Sequence, residues 1–279
     1  MSQGQGRHTV RKQGGLAALF RMDLRISRGR KCRDWPYYHL DLNAGCGWNK
    51  KVDCPGSPLT FLEVTQDVDR SGPIWARFCD HNADYVKELK GHLAFAVESL
   101  SDGSSLGVVC QDNGLFLQEM AWQIRQEQQH RQLRPEWAIG TLLCDPNGEK
   151  DMPLGQLRLF AAEFPRIDLI LNINCNLFRK FEGCKREDNH LSPRQKESFR
   201  KKPTVREIIA SLGRKHWYIR NPPPGRVGSE SFCLLFGQTM SRHGGKCFKD
   251  FFPVESRQGQ DILNNLRHIV PEQRLLWED

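Results

Sequence analysis

The stretch Tyr37 to Asn49, YYHLDLNAGCGWN, constrains this chain more than any other. A short apolar run that ends in an acid and passes into Asn-Ala-Gly-Cys-Gly has the layout of a strand feeding a glycine turn and then a helix. In such a turn Gly45 and Gly47 permit positive φ and admit a ligand with no Cβ in the way. The spacing is not the G-x-G-x-x-G of dinucleotide sites. The residues alone therefore suit both a nucleotide-like cofactor site and an ordinary tight turn.

The pattern around this stretch repeats it. Trp75 to Cys79 is a compact apolar strand closing on Asp80, followed by helical spacing of Val86, Leu89 and Leu93. Leu106 to Cys110 closes on Gln111, Asp112, Asn113 and Gly114, and a helix is expected from Phe116 to about Gln128. Trp137 to Cys144 ends on Asp145-Pro146-Asn147-Gly148, Leu154 to Phe164 reads as a helix, and Asp168 to Ile173 ends in Asn174, Cys175 and Asn176. Thr204 with Glu207 three residues on is a capping-box pattern for a helix that Gly213 ends. His216 to Ile219 and Ser231 to Phe236 are close enough in sequence to form an antiparallel pair.

This alternation predicts an α/β fold with a mostly parallel, seven-stranded sheet and a C-terminal antiparallel hairpin. Polar or acidic residues end each of the first four strands, which places a candidate site along one edge of the sheet, where open α/β sheets bind ligands. Residues 1–33 are expected to be a basic flexible arm, with a short amphipathic helix over Leu16 to Ile26. The domain proper is expected over 34–242 with a basic insertion at 177–202, followed by a helical extension over 243–279 with a helix at Asp261 to Ile269.

The net charge of +8 is unevenly placed. Residues 1–34 carry nine Lys or Arg against two acids and residues 177–202 nine against four, so the remainder is acidic, near −4. Concentrated positive charge binds a polyanion by releasing counterions from its phosphates, so nucleic acid is the expected partner, with two merely solvated segments as the alternative. The candidate phosphate contacts are Lys185, Arg186, Arg194, Lys196, Arg200, Lys201 and Lys202. A protein partner is compatible with the same surface. No stretch approaches the roughly 18 apolar residues needed to cross a bilayer, so no membrane association and a cytoplasmic location are expected. The ten cysteines include no C-x-x-C pair and several sit in apolar runs, which reads as reduced, buried thiols. Cys184 and His190 lack a second ligand pair, and no metal is predicted.

With these residues in view, the chain resembles a class I S-adenosylmethionine-dependent methyltransferase. Within that class it is most similar to the three-Cys-motif partner proteins and to RNA adenine N6-methyltransferases. The resemblance covers about residues 36–240 and implies a Rossmann-like sheet with S-adenosylmethionine as cofactor. Its motifs are HLDLNAGCGWN with Asp41, Asn43, Gly45 and Gly47; FCDHN with Asp80 and His81; CQDNG with Asp112 and Asn113; and LLCDPNG with Asp145, Pro146 and Asn147. By resemblance Asp80 holds the ribose hydroxyls, Asp112 meets the adenine amine, and Asp41 either accepts from the methionine amino group or orients the turn.

LLCDPNG resembles the D-P-P-Y motif of enzymes that methylate exocyclic amines, where the acid and the prolyl carbonyl hold the target amine and the aromatic stacks on the base. Here Asn147 and Gly148 replace the second proline and the aromatic, so a stacking ring must come from elsewhere, such as Trp48 or Phe178. The residue types permit simpler readings too. Asp80 and Asp112 can cap the helices that follow them, D-P-N-G can be a plain turn, and the asparagines at 172, 174 and 176 can satisfy backbone groups as readily as they can donate and accept toward a base edge. His216, Trp217, Tyr218 and Arg220 form a basic-aromatic cluster that could stack on bases, although Trp217 and Ile219 suit a buried strand better. Two functions are thus in view: an S-adenosylmethionine-dependent N-methyltransferase of an exocyclic base amine in DNA or RNA, or a catalytically inactive protein of that fold acting as a nucleic-acid-binding partner or regulator.

Overall fold

The computed structural model describes residues 7–27, 34–68, 72–94, 96, 100–146, 152–174, 197, 203–220, 232–239 and 250–265. The elements run α1 (Arg7–Ser27), β1 (Tyr37–Asp41), β2 (Trp48–Asn49), β3 (Cys54–Pro55), α2 (Ser57–Asp67), β4 (Ile74–Asp80), α3 (Ala83–Leu93), β5 (Ser105–Cys110) and α4 (Asn113–His130). They continue with β6 (Ile139–Cys144), α5 (Leu154–Glu163), β7 (Ile167–Asn174), α6 (Val205–Ser211), β8 (His216–Arg220), β9 (Phe232–Gln238), β10 (Phe251–Pro253) and α7 (Arg257–Asn265).

Eight strands form one sheet in the order β10-β8-β9-β7-β6-β1-β4-β5, and β2 pairs with β3 as a separate ribbon. β1 lies between β4 and β6, parallel to both, and β5 and β7 extend the parallel run outward. β9 is antiparallel to β7 and β8, and β10 antiparallel to β8. The expected α/β, Rossmann-like sheet with its antiparallel C-terminal hairpin is therefore the observed one, with an eighth strand added at the β8 edge.

Alternation along each strand splits the core in two. Tyr38, Leu40, Leu142, Cys144, Leu169 and Leu171 pack on one face beneath α4, α5 and α6. Tyr37, Leu143, Ile170 and Phe236 pack on the other, beneath α1 and α2. Every residue of β1 and β6 is buried, so these central strands are mostly apolar, with His39, Asp41 and Thr141 as their buried polar side chains.

For Arg7–Ser27, the described part of residues 1–33, α1 corrects the expectation of a flexible arm. Leu16, Leu19, Phe20 and Leu24 fall at helical spacing and are at most 2% exposed, because the stripe they form covers one face of the sheet. The Tyr37 hydroxyl donates to Asp23 Oδ2 at 2.5 Å, tying the helix to the central strand. α7 starts earlier than expected because Ser256 caps it, its Oγ accepting from the Gly259 N–H at 3.1 Å. Trp137 falls in a 3-10 turn, Pro135–Trp137, ahead of β6 rather than within it. The Thr204–Glu207 capping box is present, and Gly213 takes φ 64° after the helix it ends. Trp217, Tyr218 and Ile219 are core residues, at most 2% exposed, so the simpler reading of that cluster holds for them. The basic insertion, including Lys185, Arg186, Arg194, Lys196, Arg200, Lys201 and Lys202, lies outside the described residues, as do Asn147, Asn176 and Phe178.

Candidate functional site

The parallel strands bring their C-terminal ends to one edge of the sheet, and the motif acids come with them. Asp41 ends β1, Asp80 ends β4, Asp112 follows β5 and Asp145 follows β6. The neighbourhood is close enough that the charges of Asp145 and Asp80 both act on Asp41.

The glycine turn leaves β1 with φ of 64° at Gly45 and 87° at Gly47. A Cβ on Gly45 would meet nothing within 4 Å, so this position opens onto free space; one on Gly47 would stand 2.9 Å from Leu89 Cδ1. The turn is fixed from below by Asp41, which accepts from the Ser57 hydroxyl at 2.6 Å and the Asn43 N–H at 3.1 Å. Asp41 is fully buried, and burial pushes its carboxyl up to about 7. The Ser57 and Asn43 hydrogen bonds pull it back, while the nearby carboxylates raise it further. Of the two roles expected for Asp41, orienting the turn is the one its contacts perform.

Asp80 holds the turn from the side. Its Oδ2 accepts from the Gly45 N–H at 2.9 Å and its Oδ1 from the Asn82 N–H at 2.8 Å. It does not cap α3, because Asn82 does, accepting from Asp84 and Tyr85. Each Asp80 oxygen therefore keeps a lone pair beyond its backbone bond. The His81 ring is exposed and its Nδ1 lies 3.7 Å from Asp80 Oδ1, beyond hydrogen-bond reach. Asp112 does cap its helix, Oδ1 accepting from Gly114 at 2.7 Å and Leu115 at 3.1 Å, with Asn113 as the first residue of α4. Trp48 is tied by its indole N–H to Asp53 Oδ1 at 3.1 Å.

Asp145 sits in a different setting. Lys12 of α1 places its Nζ 2.6 Å from Oδ2, and Asn172 of β7 donates its Nδ2–H to Oδ1 at 2.5 Å. The β6–β7 register, with Cys144 opposite Leu171, puts Asn172 beside Asp145. Two charge-assisted bonds fix the carboxylate and leave one lone pair on each oxygen. Pro146 follows it, buried, offering a carbonyl but no N–H.

Sequence reasoning missed Lys12 and Ser57. Lys12 resembles every other cation of a basic segment and acquires its role only when α1 docks 133 residues away from Asp145. Ser57 opens α2 after Gly56, a position where a polar residue is unremarkable.

Two buried acceptors at this edge, Asn43 Oδ1 and Asn172 Oδ1, have no hydrogen-bond partner. Orphaned acceptors of this kind at an open glycine turn fit a ligand rich in N–H and O–H donors, such as a nucleoside bearing an ammonium group.

No protein-family model matches this chain, and neither does any curated protein. Among solved structures it is similar to protein LPL1258 from Legionella pneumophila str. Philadelphia 1, at 12% identity over 95% of this chain and 92% of that one, with a TM-score of 0.50. A fibrillarin pre-rRNA processing protein of Methanococcus jannaschii matches at 12% identity over 74% of this chain and 68% of that one, TM-score 0.40. A protein described as a putative rRNA-methylase from Clostridium thermocellum matches at 10% identity over 80% and 95%, TM-score 0.38. The likeness to LPL1258 is one of fold, and it runs nearly the whole length of both chains.

Proposed function

We propose that this protein is an S-adenosylmethionine-dependent N-methyltransferase acting on an exocyclic amine of a nucleic-acid base. The observation that carries this reading is the pair Asp80 and Asp145 at one sheet edge, flanking an open glycine turn and each retaining acceptor capacity. In this reading Asp80 takes the vicinal ribose hydroxyls with the lone pairs its backbone bonds leave free. Asn43 Oδ1 accepts from the methionine ammonium group, and the bare face of Gly45 lets the ligand approach. Asp112 uses its second oxygen for the adenine amine while the first caps α4.

When bound, the cofactor supplies an electrophilic methyl on a sulfonium. The chain's own work is orientation. Asp145 accepts an N–H of the target amine, which turns the nitrogen lone pair away from the acceptor plane. Pro146 presents its carbonyl beside it. The basic segment at 177–202 follows β7 in sequence, and in this reading its cations bind the phosphates. A cytoplasmic location belongs to the same reading.

One observation favours the second reading, a non-catalytic partner protein: Asn147 and Gly148 stand where the resemblance has a proline and an aromatic ring. Calorimetric titration with S-adenosylmethionine followed by a methyl-transfer assay on mixed DNA and RNA separates the two. Cofactor binding with transfer supports the enzyme, binding without transfer on any nucleic acid supports the partner, and no binding at millimolar cofactor defeats the enzyme.

A further inference from the structure

α1 is not uniformly docked. From Leu16 onward its apolar stripe is buried, but the turns before that hold little apolar surface: Val10 is half exposed. Among the polar contacts that tie that end down are Lys12 to Asp145 and the Thr60 hydroxyl donating to Gln13 Oε1 at 3.2 Å. Between the two parts lie Gly14 and Gly15, consecutive glycines in a helix interior, where glycine is the poorest former after proline. Gly15 has a packing reason, since a Cβ there would stand 2.0 Å from an Arg220 guanidinium nitrogen. Gly14 has none: it is exposed and a Cβ would meet nothing within 4 Å. The first turns of α1 are thus joined to the rest through a weak point and held by side-chain contacts that a competing ligand can replace.

The side chains that share this contact with Lys12 suit such a ligand. Asn172 is fully buried, spends its amide N–H on Asp145 and leaves Oδ1 without a partner. Lys12 is a donor resting on Asp145 Oδ2. We propose that Lys12 is an internal occupant of the acceptor site, standing where a substrate amine is held, and that the amine which displaces it is read by Asp145 and Asn172 Oδ1 together. This rests on the reading of Asp145 as the holder of the acceptor amine. It adds a gate, the N-terminal turns of α1 hinged at Gly14, and a specificity rule. A base with two N–H donors on one nitrogen satisfies both oxygens, whereas a carbonyl in the same place sets acceptor against acceptor and leaves both unpaired.

The test is a set of titrations of the full chain, with millimolar S-adenosylhomocysteine present to fill the adenine site given to Asp112, using adenosine against inosine and cytidine against uridine, pairs that differ by amine and carbonyl. The unaltered protein is expected to prefer the amine member of at least one pair by about tenfold or more. Lys12→Met, which removes the occupant, is expected to tighten that amine ligand several-fold, because the competent state no longer has to be opened against it. Asn172→Leu is expected to erase the amine preference. Equal affinity for amine and carbonyl in the unaltered protein overturns the proposal, as does unchanged or weaker amine binding in Lys12→Met, or no binding by either protein. The comparison within the unaltered protein needs no variant to fold. Because no S-adenosylmethionine is present, failure of methyl transfer leaves these results standing and marks the wider functional reading, not the occupant, as wrong.

Discussion

Asp80 and Asp145 lie at the same edge of one sheet, yet they are held in opposite ways. Asp80 is fixed by backbone N–H groups, one two residues ahead and one in the glycine turn it faces. Asp145 is fixed by side chains, from Lys12 on a helix at the far end of the chain and Asn172 on the neighbouring strand. Backbone bonds persist as long as the sheet does. Side-chain bonds across 133 residues persist only while α1 is docked. In the proposed reading, the cofactor half of the candidate site is therefore preformed by the fold itself, and the acceptor half is conditional.

The largest effect expected from this difference is at Asp145. Asp145→Ala removes the amine's acceptor and the common partner of Lys12 and Asn172, so methyl transfer should fall by ~10³-fold or more. Cofactor affinity, which depends on the other half, should change by no more than about threefold in the same protein. Single-turnover assays beside calorimetry read both quantities, and retained turnover would show that Asp145 does not hold the acceptor.

Next in size is a pH effect confined to the cofactor half. Asp41 has a folded value near 7 against an ordinary value of 3.8, so between these the folded state holds a proton that the unfolded chain has released. Its contribution to stability is present at low pH and is lost as pH rises through about 7. The advantage of the unaltered protein over Asp41→Asn should shrink by up to a few kcal/mol from pH 4 to pH 8. His39 works in the opposite sense, since burial lowers it to about 3, but it is common to both proteins and cancels in the difference. Urea midpoints across that range measure the effect, and a flat difference would mean that Asp41 is ionised in the folded state.

Asp80→Ala should come third. It removes charge-assisted hydrogen bonds worth together roughly 1.5–3 kcal/mol, so cofactor affinity should drop about tenfold to a hundredfold. An unchanged affinity would move the ribose away from β4.

What was legible in the sequence divides along the same line. The strands and the acids that end them could be read because a buried strand writes itself as an apolar run and its last residue is fixed by position. The α3 cap is Asn82, two residues beyond Asp80 and the last residue of the FCDHN motif, where either residue type can cap. β10 was missed because three residues, Phe251–Pro253, are too few to show a period. α1 was half seen: the stripe of Leu16, Leu19, Phe20 and Leu24 is in the sequence, but nothing local says that it has a sheet face to cover. Lys12 and its contact with Asp145 follow from that docking and so were out of reach. Deleting residues 1–30, a natural way to test an arm, would here remove part of the core.

The smallest effect separates two jobs that one side chain performs. Asp112 caps α4 through Oδ1, and the functional reading gives its other oxygen to the adenine amine. Asn and Asp are equally good N-caps, so Asp112→Asn should leave the melting temperature within about a degree or two of the unaltered protein. Its amide oxygen can keep the cap, but the amide nitrogen then faces the adenine amine, donor against donor. Cofactor affinity should weaken several-fold, in line with one hydrogen bond of ~1 kcal/mol. If Asp112 only caps, Asp112→Asn alters neither quantity, and the adenine ring must find its partner elsewhere along β5. A lower melting temperature with unchanged affinity would mean that the carboxylate's charge at the helix N-terminus, not its acceptor geometry, is what this position supplies.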